Sequence, residues 1–242
     1  MVSVLKGEGT VPILFGTTNI SLGAKSHIGY LARPDLTGEW PTVVMVPGGR
    51  GATSAMRDVA RRLARHGVAV VLPDVYRGDT APPDISNDDA NRVLDQVPLL
   101  RGTRDVNHVA SFVANRASVW SSAGDGFGVI VHGAGSRFGG PLVLSEGVAA
   151  IALVGAFLID EYAAAQVPLL ALYGKDDEFV SPEDIKQFRA NAPQTEVVLY
   201  GDVGSEFLDD DLDGHDYLTA KDAIERMAEF FIEHLPSTAT PS

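Results

Sequence analysis

The sequence offers few side chains whose type and spacing suit chemistry. The first group is Val131-His132-Gly133-Ala134-Gly135, which follows the apolar run Gly128-Val129-Ile130-Val131. An apolar run ending in small residues is the pattern of a buried strand turning sharply into a helix. Such a turn can hold a nucleophile at its apex, because only small flanking residues clear the backbone. Here the apex is Gly133, which has no nucleophile. His132 beside it is a candidate general base toward water or a ligand; the plainer reading packs its ring beneath the turn with its nitrogens bonded to backbone. Ser136 fails as a displaced nucleophile, because Arg137 and Phe138 follow it and its hydroxyl falls at a helix start, where a cap is expected.

Two further groups are charged. Arg50 and Arg77 stand on loops after apolar runs, where either suits a ligand carboxylate or a surface ion pair. Asp209-Asp210-Asp211-Leu212-Asp213-Gly214 has the D-x-D-x-D-G spacing of a calcium loop, but Ala220 falls where the closing glutamate is needed. A solvated acidic loop with no metal is therefore the expectation.

The elements that must position these residues alternate. Residues 11–15, 19–22 and 27–32 predict an opening antiparallel meander. Buried strands follow at 42–46, 68–72, 127–131, 148–154, 168–173 and 196–200. Helical spacing is read at 56–64, 88–99, 104–117 and 219–235, and Ser181-Pro182 starts another helix. Repeated strand–helix alternation implies an α/β domain, a mostly parallel sheet with helices on both faces and ligands beyond its carboxyl ends.

Composition narrows the function classes. With 242 residues, 45% hydrophobic and 21% charged, the chain reads as one ordinary globular domain with loose ends at 1–10 and 236–242. A net charge of −13 repels nucleic acid and anionic membranes. Arg57, Arg61, Arg62 and Arg65 follow helical spacing and are expected on a solvent face. The absence of cysteine excludes disulfides, thiolate metal sites and a cysteine nucleophile. No run approaches a membrane span, so a cytoplasmic location is expected. The expected partner is a small molecule, bound by a monomer or homodimer, with no cofactor.

From His27 to Leu235 the chain resembles the dienelactone hydrolase family of α/β-hydrolases. The resemblance rests on the turn at Gly133, the Pro73-Asp74-Val75-Tyr76 segment, Gly174-Lys175-Asp176-Asp177-Glu178-Phe179-Val180 and the closing helix. It implies that Asp177 is the triad acid and that the Ala134 and Gly49 amides form the oxyanion hole. It also implies departures: Gly133 replaces the nucleophile, Ser205 the triad histidine, and Gly48 a loop glutamate. A second alignment, on hydrolases that place the histidine just before the last helix, makes His215 the partner of Asp177, with water as nucleophile; otherwise His215 is an exposed loop residue. Two functions follow as expectations. One is non-covalent acid/base and oxyanion-hole catalysis on an ester, lactone or polyketide-like carbonyl by Asp177 with His132 or His215, covering hydration, elimination, isomerisation or cyclisation. The other is an inactive pseudoenzyme that binds a small ligand or a protein.

Overall fold

The computed structural model describes residues 9–22, 25–77, 81–82, 84–115 and 119–239. The sheet opens with an antiparallel pair, β1 (Ile13–Leu22) and β2 (Lys25–Pro34). The expected meander is thus two long strands, since residues 16–18 continue β1. Its edge position and part-exposed surface tolerate Gly16 and two threonines.

After β2 come β3 (Thr42–Val46), α1 (Ser54–Arg65) and β4 (Ala69–Pro73), with both strands buried at every position. Next are α2 (Asn87–Asp95) and α3 (Leu99–Val113). The helix expected over 88–99 stops early because Pro98 intervenes; proline has no N–H and disfavours helical backbone at Val97. The second helix starts at Leu99 rather than at 104, and its expected end at 117 lies outside the described residues.

The remainder is β5 (Phe127–His132), α4 (Ser136–Val143), β6 (Val148–Val154), α5 (Asp160–Ala164), β7 (Leu169–Gly174), α6 (Pro182–Asn191), β8 (Thr195–Tyr200) and α7 (Tyr217–His234). Ser181 and Asp184 form a capping box for α6, and Asp216 caps α7 by accepting from the Thr219 N–H at 2.8 Å. The eight strands run β1-β2-β4-β3-β5-β6-β7-β8, parallel from β4 onward.

Alternating strand residues build two cores. Val44, Val46, Val129, Val131, Ile151 and Leu153 face α3 and α4 through Val106, Val109 and Phe138. Val43, Met45, Val70, Leu72, Ile130 and Val154 face α1 and α7 through Val59, Leu63, Met227 and Phe231. Carboxyl ends of parallel strands stay open, so loops there are free to build a site.

Of the ends expected to be loose, residues 1–8 and 240–242 lie outside the described residues; within the rest, Gly9 N–H donates to His66 Nε2 at 3.2 Å and the Thr238 and Ala239 N–H groups donate to the Glu39 carbonyl. No helix among the described residues is long and apolar enough to cross a membrane.

One close helix–sheet contact is at Gly128, where an added Cβ would come within 2.5 Å of the Phe231 ring. Phe231 is fully buried in the α1/α7 core, and its removal leaves a cavity that the sheet is too rigid to close. Phe231→Ala is expected to lower the unfolding free energy in urea by about 3–5 kcal/mol.

Candidate active site

β5 passes into a tight turn at Gly133–Gly135 and then into α4. Gly133 has φ +48°, in the left-handed region, and a Cβ built there would meet only the Gly48 Cα at 4.0 Å. Gly135 is the opposite case, since its Cβ would lie 2.4 Å from the Pro47 carbonyl oxygen. The turn therefore has a small residue where one is required and an empty apex open to a side chain. Ser136, buried, donates its hydroxyl to the Gly133 carbonyl at 3.0 Å, so it braces the turn as a donor instead of capping α4 by accepting.

A cavity opens over this apex, beyond the carboxyl ends of β3, β5, β6 and β7. Its volume is about 50 Å³, a few times what one water needs. Gly48, Gly49, Gly133 and Ala134 line one side, and the Gly49 and Ala134 N–H groups form no backbone hydrogen bond in the turns and loops. Both residues are buried, and neither amide has a hydrogen-bond partner among the described residues, so both can serve an acceptor in the cavity. Tyr76 fixes the loop that carries Gly49: its hydroxyl donates to the Gly49 carbonyl, and its ring fills the space under Gly51, which has φ +77°. Tyr76 was in the sequence as part of a family-like segment, but nothing there marked it as the prop of this loop.

His132 lines the cavity, and burial pulls its imidazole down to about 4. It is therefore neutral at pH 7, with no side-chain hydrogen bond among the described residues; the expected backbone bonds to its ring are not formed. An added Cβ at Gly48 would approach its Nδ1 to 2.7 Å. The imidazole thus stands against the residue where the family resemblance expects a glutamate.

Asp177 sits beneath the cavity, 9% exposed. Its Oδ1 accepts from the Phe179 and Val180 N–H groups at 2.8 and 3.0 Å, whereas its buried Oδ2 has no partner among the described residues. Burial pushes this carboxyl above the usual range, against the pull of those two N–H bonds. The unpartnered oxygen points toward Gly155, whose Cβ position lies 3.4 Å away with the Ser205 carbonyl close by. Ser205 lines the cavity, and its hydroxyl donates to Glu178 Oε1 at 2.8 Å. Asn87 Nδ2 also donates to Glu178 Oε1 at 2.9 Å, and Arg50 donates to Asn87 Oδ1 at 3.0 Å. Burial alone would raise the Glu178 carboxyl, but hydrogen bonds from Asn87 and Ser205 hold it below the usual range.

Several expected site residues are elsewhere. His215 does not line the cavity; its Nδ1 is bonded to the Phe207 carbonyl at 2.9 Å, and no hydrogen bond joins it to Asp177. The proposed Asp177–His215 pair is not formed. The reason is local: Asp216 must cap α7, which holds His215 against its own loop. Arg77 is also outside the cavity, paired with Asp105 on α3 at 3.0 Å. Arg50 does reach the cavity, where it also donates to the Ile85 carbonyl at 2.8 Å.

Asp210, Asp211 and Asp213 of the acidic loop and Arg65 of the basic helix are exposed as expected, and the departures from the solvated reading are Asp209, Arg57 and Arg61. Asp209 is only 5% exposed and lines the cavity, and Asp211 accepts from the Ser54 hydroxyl at 2.6 Å at the start of α1. Asp209, Asp210 and Asp211 bring carboxylate oxygens within 4.8 Å of one another. Arg57 and Arg61 are half-buried, stacked over the Tyr30 and Phe15 rings. The sequence pattern also gave no sign that Phe157, Phe179 and Glu206 line the cavity, because three separate loops bring them there.

Comparison with known proteins agrees with this architecture. The profile of the Dienelactone hydrolase family matches residues 28–235. A Salmonella typhimurium (strain LT2) protein provisionally named a carboxymethylenebutenolidase is 27% identical, over 90% of this chain and 87% of its own. A Bradyrhizobium protein provisionally named 2-oxo-3-(5-oxofuran-2-ylidene)propanoate lactonase is 24% identical, over 93% and 97%. A Klebsiella pneumoniae crystal structure provisionally named a dienelactone hydrolase superposes with a TM-score of 0.79 at 22% identity, covering 92% of this chain and all of that one. This likeness establishes the α/β-hydrolase fold.

The buried imidazole makes stability depend on pH. An unfolded chain takes up a proton near 6.5 and the folded His132 only near 4, so His132 is unfavourable to folding as pH falls through this window. At about 1.4 kcal/mol per unit, the contribution lost approaches roughly 3 kcal/mol. Urea unfolding between pH 7 and pH 4.5 is expected to show a smaller loss of stability in His132→Gln than in the wild type.

Proposed function

The chain belongs to the dienelactone hydrolase family, and from that premise we propose that it hydrolyses a small lactone or ester without a covalent intermediate on residue 133. The single observation that carries this reading is the pair of amides, Gly49 and Ala134, without a hydrogen-bond partner among the described residues, beside an open Gly133 apex. Two amides lining one cavity suit a carbonyl oxygen that gains negative charge, a stabilisation of about 2.7–4 kcal/mol for one donor in a dry site. The names of the relatives, a carboxymethylenebutenolidase and a lactonase, support a lactone as the substrate class.

In this reading water occupies the space over Gly133. Its oxygen attacks the carbonyl carbon while one of its protons passes to His132. The carbonyl electrons move onto the oxygen held by the two amides. As the carbonyl re-forms, the ring C–O bond breaks, and the leaving alkoxide recovers the proton from His132. A neutral imidazole is in the correct state for this step at every pH above about 4. Asp177 does not touch the reacting atoms; it contributes a buried negative field behind Gly155.

The loss of the triad histidine also supports binding without turnover, since the Asp177 Oδ2 is left with no partner among the described residues. That alternative predicts ligand-induced thermal stabilisation with no product.

The hydrolytic reading is tested by a panel of small lactones and esters assayed across pH. The expected kcat/KM is level above about pH 5 and declines as pH falls through about 4, the value to which burial holds His132. His132→Gln is expected to lower it by about 10²-fold or more. A variant within about threefold of wild type would remove His132 from the mechanism. Gly133→Ser with Ser205→His is expected to give an acyl-enzyme burst, because the apex has room for a side chain and residue 205 lines the same cavity.

A further inference from the structure

The cavity wall carries an unusual balance of charge. Glu206 and Asp209 line it, and the carboxylate of Glu206 has no hydrogen bond or ion pair among the described residues. Asp209 is more than nine-tenths buried; its Oδ1 accepts from the Asp211 N–H at 3.1 Å, and Arg50 is near enough to act on its charge. Behind Gly155 lies a third acid, the unpartnered Oδ2 of Asp177. The one cation among the described residues of the wall, Arg50, offsets part of this charge, but its guanidinium is engaged by Asn87 and the Ile85 carbonyl. His132 adds no positive charge at neutral pH.

The cavity lining is also aromatic. Phe157 and Phe179 both line the cavity with ring centroids 5.4 Å apart, tilted by 48°. Aromatic faces beside carboxylates in a poorly hydrated pocket attract an organic cation and offer nothing specific to an anion. We propose that this cavity selects a carbonyl compound bearing a positively charged nitrogen, an ammonium ester or lactone, with the carbonyl on the Gly49 and Ala134 amides and the cation between the two rings and Asp209. Burial holds the Asp209 and Asp177 carboxyls above their usual range, and a bound cation relieves that penalty.

The location of the carbonyl rests on the hydrolytic reading above, so binding and turnover are measured separately. Binding is followed by calorimetry at low salt with three ketones that cannot be hydrolysed: the ketone analogue of acetylcholine, its uncharged tert-butyl isostere, and levulinate. The cationic ketone is expected to bind on the order of tenfold tighter than its isostere, and levulinate weakest of the three. Glu206→Gln, at a half-buried position that tolerates the amide, and Asp209→Asn are each expected to reduce that advantage. The inference is overturned if the cationic ketone does not bind, if the isostere or levulinate binds as tightly, or if both variants keep the full preference. Cation preference without turnover of acetylcholine would leave this inference in place and remove the hydrolytic reading.

Discussion

The site depends on one close approach, Gly135 against the Pro47 carbonyl. A Cβ at 135 would stand 2.4 Å from that oxygen, so only glycine lets the turn after β5 nest against the loop after β3. The approach brings Gly133 to within van der Waals reach of Gly48 and sets the Ala134 and Gly49 amides beside the same cavity. Tyr76 fixes the far side of that loop through the Gly49 carbonyl. The amide pair is therefore a property of backbone packing, and it persists whatever side chain stands at the apex.

This separates two kinds of chemistry within one fold. Where the family resemblance expects a nucleophile, a histidine and a glutamate, this chain has Gly133, Ser205 and Gly48, and the surroundings of these positions make other contacts. His132 fills the space against Gly48, and Ser205 joins Asn87 and Glu178 in a hydrogen-bonded rim. The Oδ2 of Asp177 has acquired no new partner among the described residues. An unpaired buried carboxylate oxygen costs stability, and the Phe179 and Val180 N–H groups that donate to the other oxygen offset part of that cost.

The fold and the backbone of the site were legible in the sequence, and the side-chain geometry was not. The runs at 42–46 and 148–154 match β3 and β6, because strands buried on both faces leave an uninterrupted apolar signature. The Gly133 turn was legible for a related reason: a buried strand that bends at once into a helix demands small residues directly after its apolar run. His215 and Arg77 looked equally suitable as site residues, yet the nearby Phe207 carbonyl and the Asp105 carboxylate hold them elsewhere. Asp209 was hidden among acidic neighbours that read as solvated; its burial follows from packing of the 209–212 loop over α1, a contact distant in sequence.

The central claim is that Gly49 and Ala134 hold a carbonyl oxygen over an apex with no nucleophile. A crystal structure with γ-butyrolactam, which keeps the ring and carbonyl of a lactone but resists hydrolysis, tests it most directly. The expected result places the lactam oxygen about 2.7–3.1 Å from both amide nitrogens, with its carbonyl carbon facing the space over Gly133. A lactam bound with its oxygen on any other donor, or a structure in which those two amides are bonded within the protein, would contradict the account.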